Sequence, residues 1–161
     1  MKKGPTPIER TPENLLLLKI LKEQNQKDPP PTLERLHLTL KKARHKIKLK
    51  RNWTQDELAR DKHNNPVDPR SKTACKWCAM GAIEAITPNK TIHRDLESFL
   101  REIVEYDSGY MGKDRDTADM PTLSSLNYFN DEYATHEDII KVFDKGIDRL
   151  ERKMQNKESK K

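Results

Sequence analysis

The sequence predicts an all-α protein, a compact bundle of about five helices between residues 32 and 154. Apolar residues recur at steps of three and four along several segments, which places them on one helix face. No segment shows the strict alternation that is typical of a strand. Residues 1–31 are predicted to be an extension with a further helix, and residues 155–161 a disordered basic tail.

The extension contains an unusually apolar segment. Thr11 and Pro12 are typical of a helix start, and the prolines after Asp28 end the helix predicted to reach about Gln26. A lone helix of that length is marginal in water, so we expect it to pack on another surface. Its apolar side chains cover most of two turns, which favours an interface for self-association formed by Leu15, Leu16, Leu17, Leu18, Ile20 and Leu21.

The next helix is predicted to run from the capping residue Thr32 to about Lys50. One stripe of it is apolar: Leu33, Leu36, Leu40, Ala43 and Ile47. The rest of its second half and the residues just after it are strongly basic. This cationic cluster consists of Lys41, Lys42, Arg44, Lys46, Lys48, Lys50 and Arg51.

The remaining elements follow from caps, prolines and spacing. Thr54–Glu57 matches a capping box and predicts a short helical turn. Further helices are predicted over residues 72–86, 91–106, 122–129 and 135–154, with an exposed loop over 107–121 and a break at Asn130-Asp131. Small residues of the 72–86 helix would let another helix approach closely.

Composition points to a chain that does not bury all of itself. Only 33% of the residues are hydrophobic and 36% are charged. Residues 1–52 carry 14 Lys and Arg against 5 Asp and Glu, residues 53–145 carry 12 against 18, and residues 146–161 carry 6 against 3. The absence of a signal-peptide pattern and the presence of only two cysteines favour the cytoplasm, and no run is long enough to span a membrane.

No motif predicts a catalytic activity, a metal or a cofactor. Cys75 and Cys78 have CxxC spacing, but zinc needs two further ligands and a redox pair needs a βαβ setting, so a small buried Cys78 is expected. An enzyme using Cys78 with His136 stays an alternative, although His136 fits the first turn of a helix capped by Thr135. Asp114, Asp116 and Asp119 do not have the spacing of a calcium loop.

Three stretches together resemble a family of uncharacterised small proteins of bacteria and bacteriophages, over roughly residues 36–150. They are Arg51–Asp61, which begins Arg-Asn-Trp-Thr-Gln; Ala74–Ala85, with Trp-Cys-Ala-Met-Gly-Ala; and Asn130–Ile147, with Asn-Asp, Thr-His and Phe-Asp. The resemblance implies a fold within these residues and a bacterial or phage cytosol, and no known activity.

The basic cluster therefore gives the functional hypothesis. Lys and Arg on one surface neutralise phosphates, so we expect a non-enzymatic protein that binds nucleic acid or a nucleoprotein assembly, with interference in a host system as a guess from the resemblance. The alternative is an interaction module that binds an acidic protein surface and oligomerises through the N-terminal helix. A merely solvated basic face, or one neutralised by the acidic middle segment, also stays open.

Overall fold

The computed structural model describes residues 30–107 and 125–160, and within them it confirms a mainly helical fold. The described part contains five α-helices: α1 Leu33–Lys46, α2 Ala79–Ile86, α3 Lys90–Glu102, α4 Leu126–Glu132 and α5 His136–Glu158. A two-stranded antiparallel sheet joins β1 Ala59–Arg60 to β2 Lys76–Trp77. The predicted N-terminal helix, its interface residues 15–21 and the Asp114–Asp119 cluster lie outside the described residues.

Helix α1 begins as predicted, but it ends at Lys46, before the predicted end at about Lys50. Thr32 accepts a hydrogen bond from the Arg35 backbone amide, and the chain leaves the helix at Ile47. A 3-10 turn, Lys50–Asn52, follows. The carbonyl of Lys46 accepts from the Asn52 side chain at 3.4 Å and that of Ile47 from His136 Nε2 at 2.7 Å, so carbonyls at the helix end find partners outside it.

The helical turn predicted from Thr54 does not form. The Thr54 amide donates to the carbonyl of Trp77, and Trp53 forms a parallel bridge with Trp77, so this segment is extended. Asp56 then adopts a positive φ of 67°, which interrupts any helix. Tertiary pairing therefore overrides a local capping signal.

The helix predicted over 72–86 is shorter: residues 72–75 form a turn and an irregular segment, and Lys76–Trp77 form the strand β2, which the sequence pattern did not predict. Cys75 donates its backbone amide to Arg60, and β2 pairs with β1. Cys78 has an extended backbone and caps α2, since its Sγ accepts from the Gly81 amide at 3.2 Å. Two-residue strands show too little alternation to be recognised by period alone.

At Gly81, one of the small residues of α2, the element that approaches most closely is a loop backbone. A Cβ atom added at Gly81 would lie 1.7 Å from the carbonyl oxygen of Leu58. That carbonyl accepts a hydrogen bond from the Cys78 amide at 3.1 Å. Because residue 81 is a glycine, the loop backbone at Leu58 can pack directly against the start of α2.

The break predicted at Asn130-Asp131 is also wrong, because α4 continues through both residues to Glu132. Ser125 is extended and accepts from the Tyr128 amide, so α4 starts after it and not at 122. Asn130 is completely buried. Its side chain bonds to other segments, so it does not compete with the helix backbone as an Asn in a turn would.

The last helix, α5, begins at the predicted cap. Thr135 and Asp138 form a capping box, which confirms the helix start predicted at Thr135. The helix extends to Glu158, beyond the predicted end and into the segment expected to be a disordered tail.

The core lies where α1, α2 and α5 meet, closed by α3 and α4. Helix α1 packs most extensively against α5 and then α2. The bulkiest fully buried side chains come from all five helices and from the π-helical segment Ile103–Asp107 that follows α3, and they include Leu40, Ile83, Leu96, Phe129 and Phe143. Within the described residues no helix is long and apolar enough to cross a membrane.

Candidate functional site

The three stretches that carry the family resemblance meet around the side chain of Asn130. Its Oδ1 accepts from Trp53 Nε1 at 2.9 Å and from the Ala79 amide at 3.1 Å. Its Nδ2 donates to the Thr54 carbonyl at 3.2 Å and to Asp131 Oδ1 at 2.7 Å. Every polar atom of this buried amide is used, so the convergence is structural: it ties the 53–55 segment to α2 and α4.

Gln55 extends the same network. Its Nε2 lies within hydrogen-bond distance of the carbonyls of Asn130, Asp131 and Ala134, at 2.9, 3.1 and 3.4 Å. The first two carbonyls lie in the last turn of α4 and the third lies two residues beyond it, where carbonyls lack helical partners. Gln55 therefore caps α4 from the outside.

His136 holds α1 to α5 and is not partnered with Cys78. Its Nε2 donates to the Ile47 carbonyl, which fixes the ring tautomer, and its ring lies 5.9 Å from that of Trp53 with a 50° tilt. The Cys78 thiol instead contacts the Gly81 amide and Asn127 Oδ1. The described contacts thus give the Cys78–His136 enzyme hypothesis no support.

Cys78 faces a small pocket of about 130 Å³, and three of its six lining residues are acidic. Burial, followed by the nearby carboxylates of Asp131 and Glu84, raises the pKa of Cys78 from 9.0 to about 12. The thiol is therefore protonated at neutral pH and is a poor nucleophile. The pocket is lined by Asp56, Glu57, Leu58, Cys78, Asn127 and Asp131. No cluster of three or more His, Cys, Asp or Glu side chains arranged for a metal occurs in residues 30–107 and 125–160.

The structure separates the seven predicted cationic residues into paired and exposed groups. Arg44 faces α5, where its Nε and Nη2 donate to the two carboxylate oxygens of Asp144 at 2.8 and 3.1 Å. This hydrogen bonding raises the pKa of Arg44. A two-point pair of this kind holds the guanidinium against α5.

Lys46 also contacts another residue of the fold. Its Nζ lies 4.0 Å from the centroid of the Trp77 ring, a cation–π contact. Trp77 is only 8% exposed, and its Nε1 donates to the Pro69 carbonyl at 3.0 Å. The ammonium group therefore covers a tryptophan that is otherwise buried.

Five cationic residues remain exposed at the end of α1 and in the turn after it. Within the described ranges, none of them pairs with a carboxylate. We call them the basic patch: Lys41, Lys42, Lys48, Lys50 and Arg51. Basic groups also suit the negative end of the α1 dipole, which accounts for part of their placement.

Two further exposed cations, Arg70 and Lys72, lie in the loop whose Pro69 carbonyl contacts Trp77. The Pro69 carbonyl and the Lys46 ammonium contact the same indole, and Arg70 follows Pro69 directly. The sequence pattern did not mark either residue, because both lie in a loop about twenty positions from the basic patch. No local spacing signals that this loop and Lys46 both contact the Trp77 indole.

Residues 31–149, about three quarters of the chain, match DUF6197, a family of unknown function. The match extends slightly further toward the N-terminus than the resemblance inferred from the three stretches. No curated protein and no solved structure matches the chain.

Proposed function

The chain belongs to DUF6197, a family of unknown function, and we propose that it is a non-enzymatic protein whose basic patch binds nucleic acid or a nucleoprotein assembly. The observation that carries this proposal is the exposure of five cations within eleven consecutive residues, none paired with a carboxylate in the described part of the chain.

The energetic argument concerns counterions. Lys and Arg that replace the ions condensed on a phosphate backbone release them, and this release supplies most of sequence-independent binding. Internal neutralisation is the competing explanation, and it holds for Arg44, which Asp144 pairs. The basic patch lacks such a partner in the described ranges, which favours an external anion.

The test uses charge reversal outside the core. Replacing Lys42, Lys48 and Lys50 by Glu should abolish retention of DNA and RNA at low salt, because all three are exposed. A matched control reverses three exposed cations elsewhere, Lys90, Arg94 and Lys157. Wild-type protein that retains neither nucleic acid at low salt, or a control that loses binding equally, would remove the proposal.

Two apolar side chains favour a second candidate, an acidic protein partner on the same surface. Leu49, between Lys48 and Lys50, is 42% exposed, and Leu38, one turn before Lys42, is 53% exposed. Apolar groups framed by charge are typical of protein interfaces. Leu38→Ser with Leu49→Ser should weaken capture of an acidic partner but leave nucleic-acid affinity unchanged.

This second candidate includes self-association through Leu15–Leu18, Ile20 and Leu21. We propose it from the sequence pattern alone. Full-length protein that is monomeric in sedimentation equilibrium, with no change in mass after Leu17→Glu and Leu21→Glu, would exclude it. The family resemblance also leads us to propose a bacterial or phage-infected cytoplasm as the setting, with a host assembly as the target.

A further inference from the structure

We infer that the basic patch, continued across Trp77 by Arg70 and Lys72, binds the phosphate backbone of a duplex rather than the bases of a single strand. This inference rests on the proposed function and names the form of nucleic acid that the surface fits. It depends on which side chains at the surface are free to touch a ligand.

The tryptophans beside the basic patch are not available for stacking. Trp53 is half-buried, its Nε1 donates to Asn130 and its ring packs beside His136. Trp77 is 8% exposed and lies under Lys46. Proteins that bind single strands stack successive bases on exposed aromatic rings. Within the described residues, the exposed ring beside the basic patch is the His45 imidazole. A stacking platform uses several such rings.

The exposed tyrosines of the described chain each have a glutamate nearby, in space or as the preceding residue. Tyr128 and Tyr133 form an edge-to-face pair with centroids 5.6 Å apart. The pKa of Tyr128 is raised, first by its hydrogen bond with Tyr133 and also by the charge of Glu132. Tyr106 follows Glu105 in the chain. A strand stacked on any of these rings would bring its phosphates close to negative charge.

Asn and Gln side chains read base edges in many DNA-binding proteins, but those next to the basic patch donate their hydrogen bonds within the fold. The Asn52 amide donates to Lys46, and the Gln55 amide to carbonyls at the end of α4. Four of the five residues in the basic patch are lysines, which act as point charges without the planar two-point geometry of arginine. Phosphate contacts without base readout are what such a surface offers.

Trp77 places the two cationic segments side by side. Lys46 lies on one side of the indole and the Pro69 carbonyl accepts from its nitrogen, while the backbone at Trp53 pairs with the backbone of Trp77. Segment 46–53 and loop 69–72 therefore flank one buried ring. Arg70 approaches Asp68 at 3.7 Å, but both side chains are more than half exposed, so this pair is weak.

The experiment measures affinity by fluorescence anisotropy against salt for a short DNA duplex and for an oligo-dT strand with the same number of phosphates. Wild-type protein should bind the duplex at least about tenfold more tightly, irrespective of sequence, because duplex phosphates hold more condensed counterions. Arg70→Glu with Lys72→Glu should reduce the salt slope on the duplex by about one per lost phosphate contact. Lys90→Glu with Arg94→Glu, the same charge change on α3, should leave the slope unchanged.

The outcomes separate the inference from the proposed function. Equal or tighter binding of oligo-dT would overturn the inference and leave the proposed function standing. An unchanged salt slope for the Arg70 and Lys72 variant, with circular dichroism showing it folded, would overturn the extension across Trp77. Failure of wild-type protein to bind either probe at low salt would overturn the proposed function itself.

Discussion

Trp53 Nε1 donates a hydrogen bond to Oδ1 of Asn130, a residue 77 positions away in the chain, at 2.9 Å. The same oxygen accepts from the backbone of Ala79, and the Asn130 Nδ2 donates to Thr54. One buried amide therefore joins the segment after α1, the start of α2 and the helix α4. We expect the loss of this amide to weaken the packing of all three segments.

Replacing Asn130 by Leu should lower the free energy of unfolding by about 3–5 kcal/mol. The change keeps the side-chain volume but leaves the Trp53 N–H, the Ala79 N–H and the Thr54 carbonyl without this partner, at about 1–3 kcal/mol for each unsatisfied buried group. Urea unfolding followed by circular dichroism measures the loss.

Trp53→Phe is the graded comparison, because it removes one donor and leaves the Ala79 bond in place. It should cost clearly less than Asn130→Leu and keeps the test measurable if the Leu variant does not fold. Equal costs for the two variants would contradict a central role for the Asn130 amide.

Gly81→Ala should destabilise the protein by roughly 2 kcal/mol more than Gly146→Ala. The added Cβ at position 81 meets the Leu58 carbonyl, which is backbone and cannot rotate away. At position 146 the contacts are the ends of Leu100 and Leu40 side chains, at 2.9 and 3.0 Å, which can move. Both substitutions gain the same helix propensity, so the difference in urea midpoints isolates the close approach. Similar midpoints would show that the loop at Leu58 adapts easily.

Cys75 should react with a thiol reagent at neutral pH much faster than Cys78. Burial raises the pKa of Cys78 to about 12, whereas Cys75 is partly exposed. Single-cysteine variants, Cys75→Ser and Cys78→Ser, identify which thiol is modified. Rapid modification of Cys78 in folded protein would contradict its burial.

The same pKa predicts a loss of stability at alkaline pH. The unfolded chain releases the Cys78 proton near its ordinary pKa of 9.0, but the folded chain keeps it up to about 12. Folded protein binds more protons in that window, so its stability decreases as pH rises from about 9 to 12. Cys78→Ala removes this contribution, and the difference in unfolding free energy between wild type and variant should shrink across the window. Lysines and tyrosines titrate in both proteins and cancel in the difference.

The sequence predicts the helices of the bundle well because caps and apolar stripes act locally. Thr32 and Thr135 start helices in the structure as their side chains predict. The failures at Thr54, Cys75 and Asn130 have a common cause. Each residue forms hydrogen bonds with a segment that is distant in the chain, and a partner 15 or more residues away gives no local pattern.

The candidate site likewise combines features that the sequence predicts with contacts that only the structure shows. Exposure of Lys41 and Lys42 follows from their position opposite the apolar stripe of α1. Charge alone did not reveal that Arg44 faces Asp144, or that Lys46 covers Trp77, since both contacts are set by tertiary packing. The cationic cluster was found from the sequence, and its free members only from the structure.

The last prediction tests the difference between the paired and the exposed members of the cationic cluster. Arg44→Gln should lower the free energy of unfolding by about 0.5–1.5 kcal/mol, a modest cost because the Arg44 and Asp144 side chains are 30% and 48% exposed. It should leave affinity for duplex DNA nearly unchanged. Lys42→Gln should do the reverse, with unaltered stability and a salt slope reduced by about one. Urea unfolding and anisotropy titration on the same preparations give both readouts.

Asp144→Asn completes a double-mutant cycle with Arg44→Gln. The double variant should be less destabilised than the sum of the two single variants, because each single change already removes the pair. Since Asp144 neutralises Arg44, Asp144→Asn should also free the guanidinium and raise affinity for duplex DNA slightly. An Arg44→Gln variant that loses DNA affinity as Lys42→Gln does, with unchanged stability, would place Arg44 in the binding surface despite its pairing with Asp144.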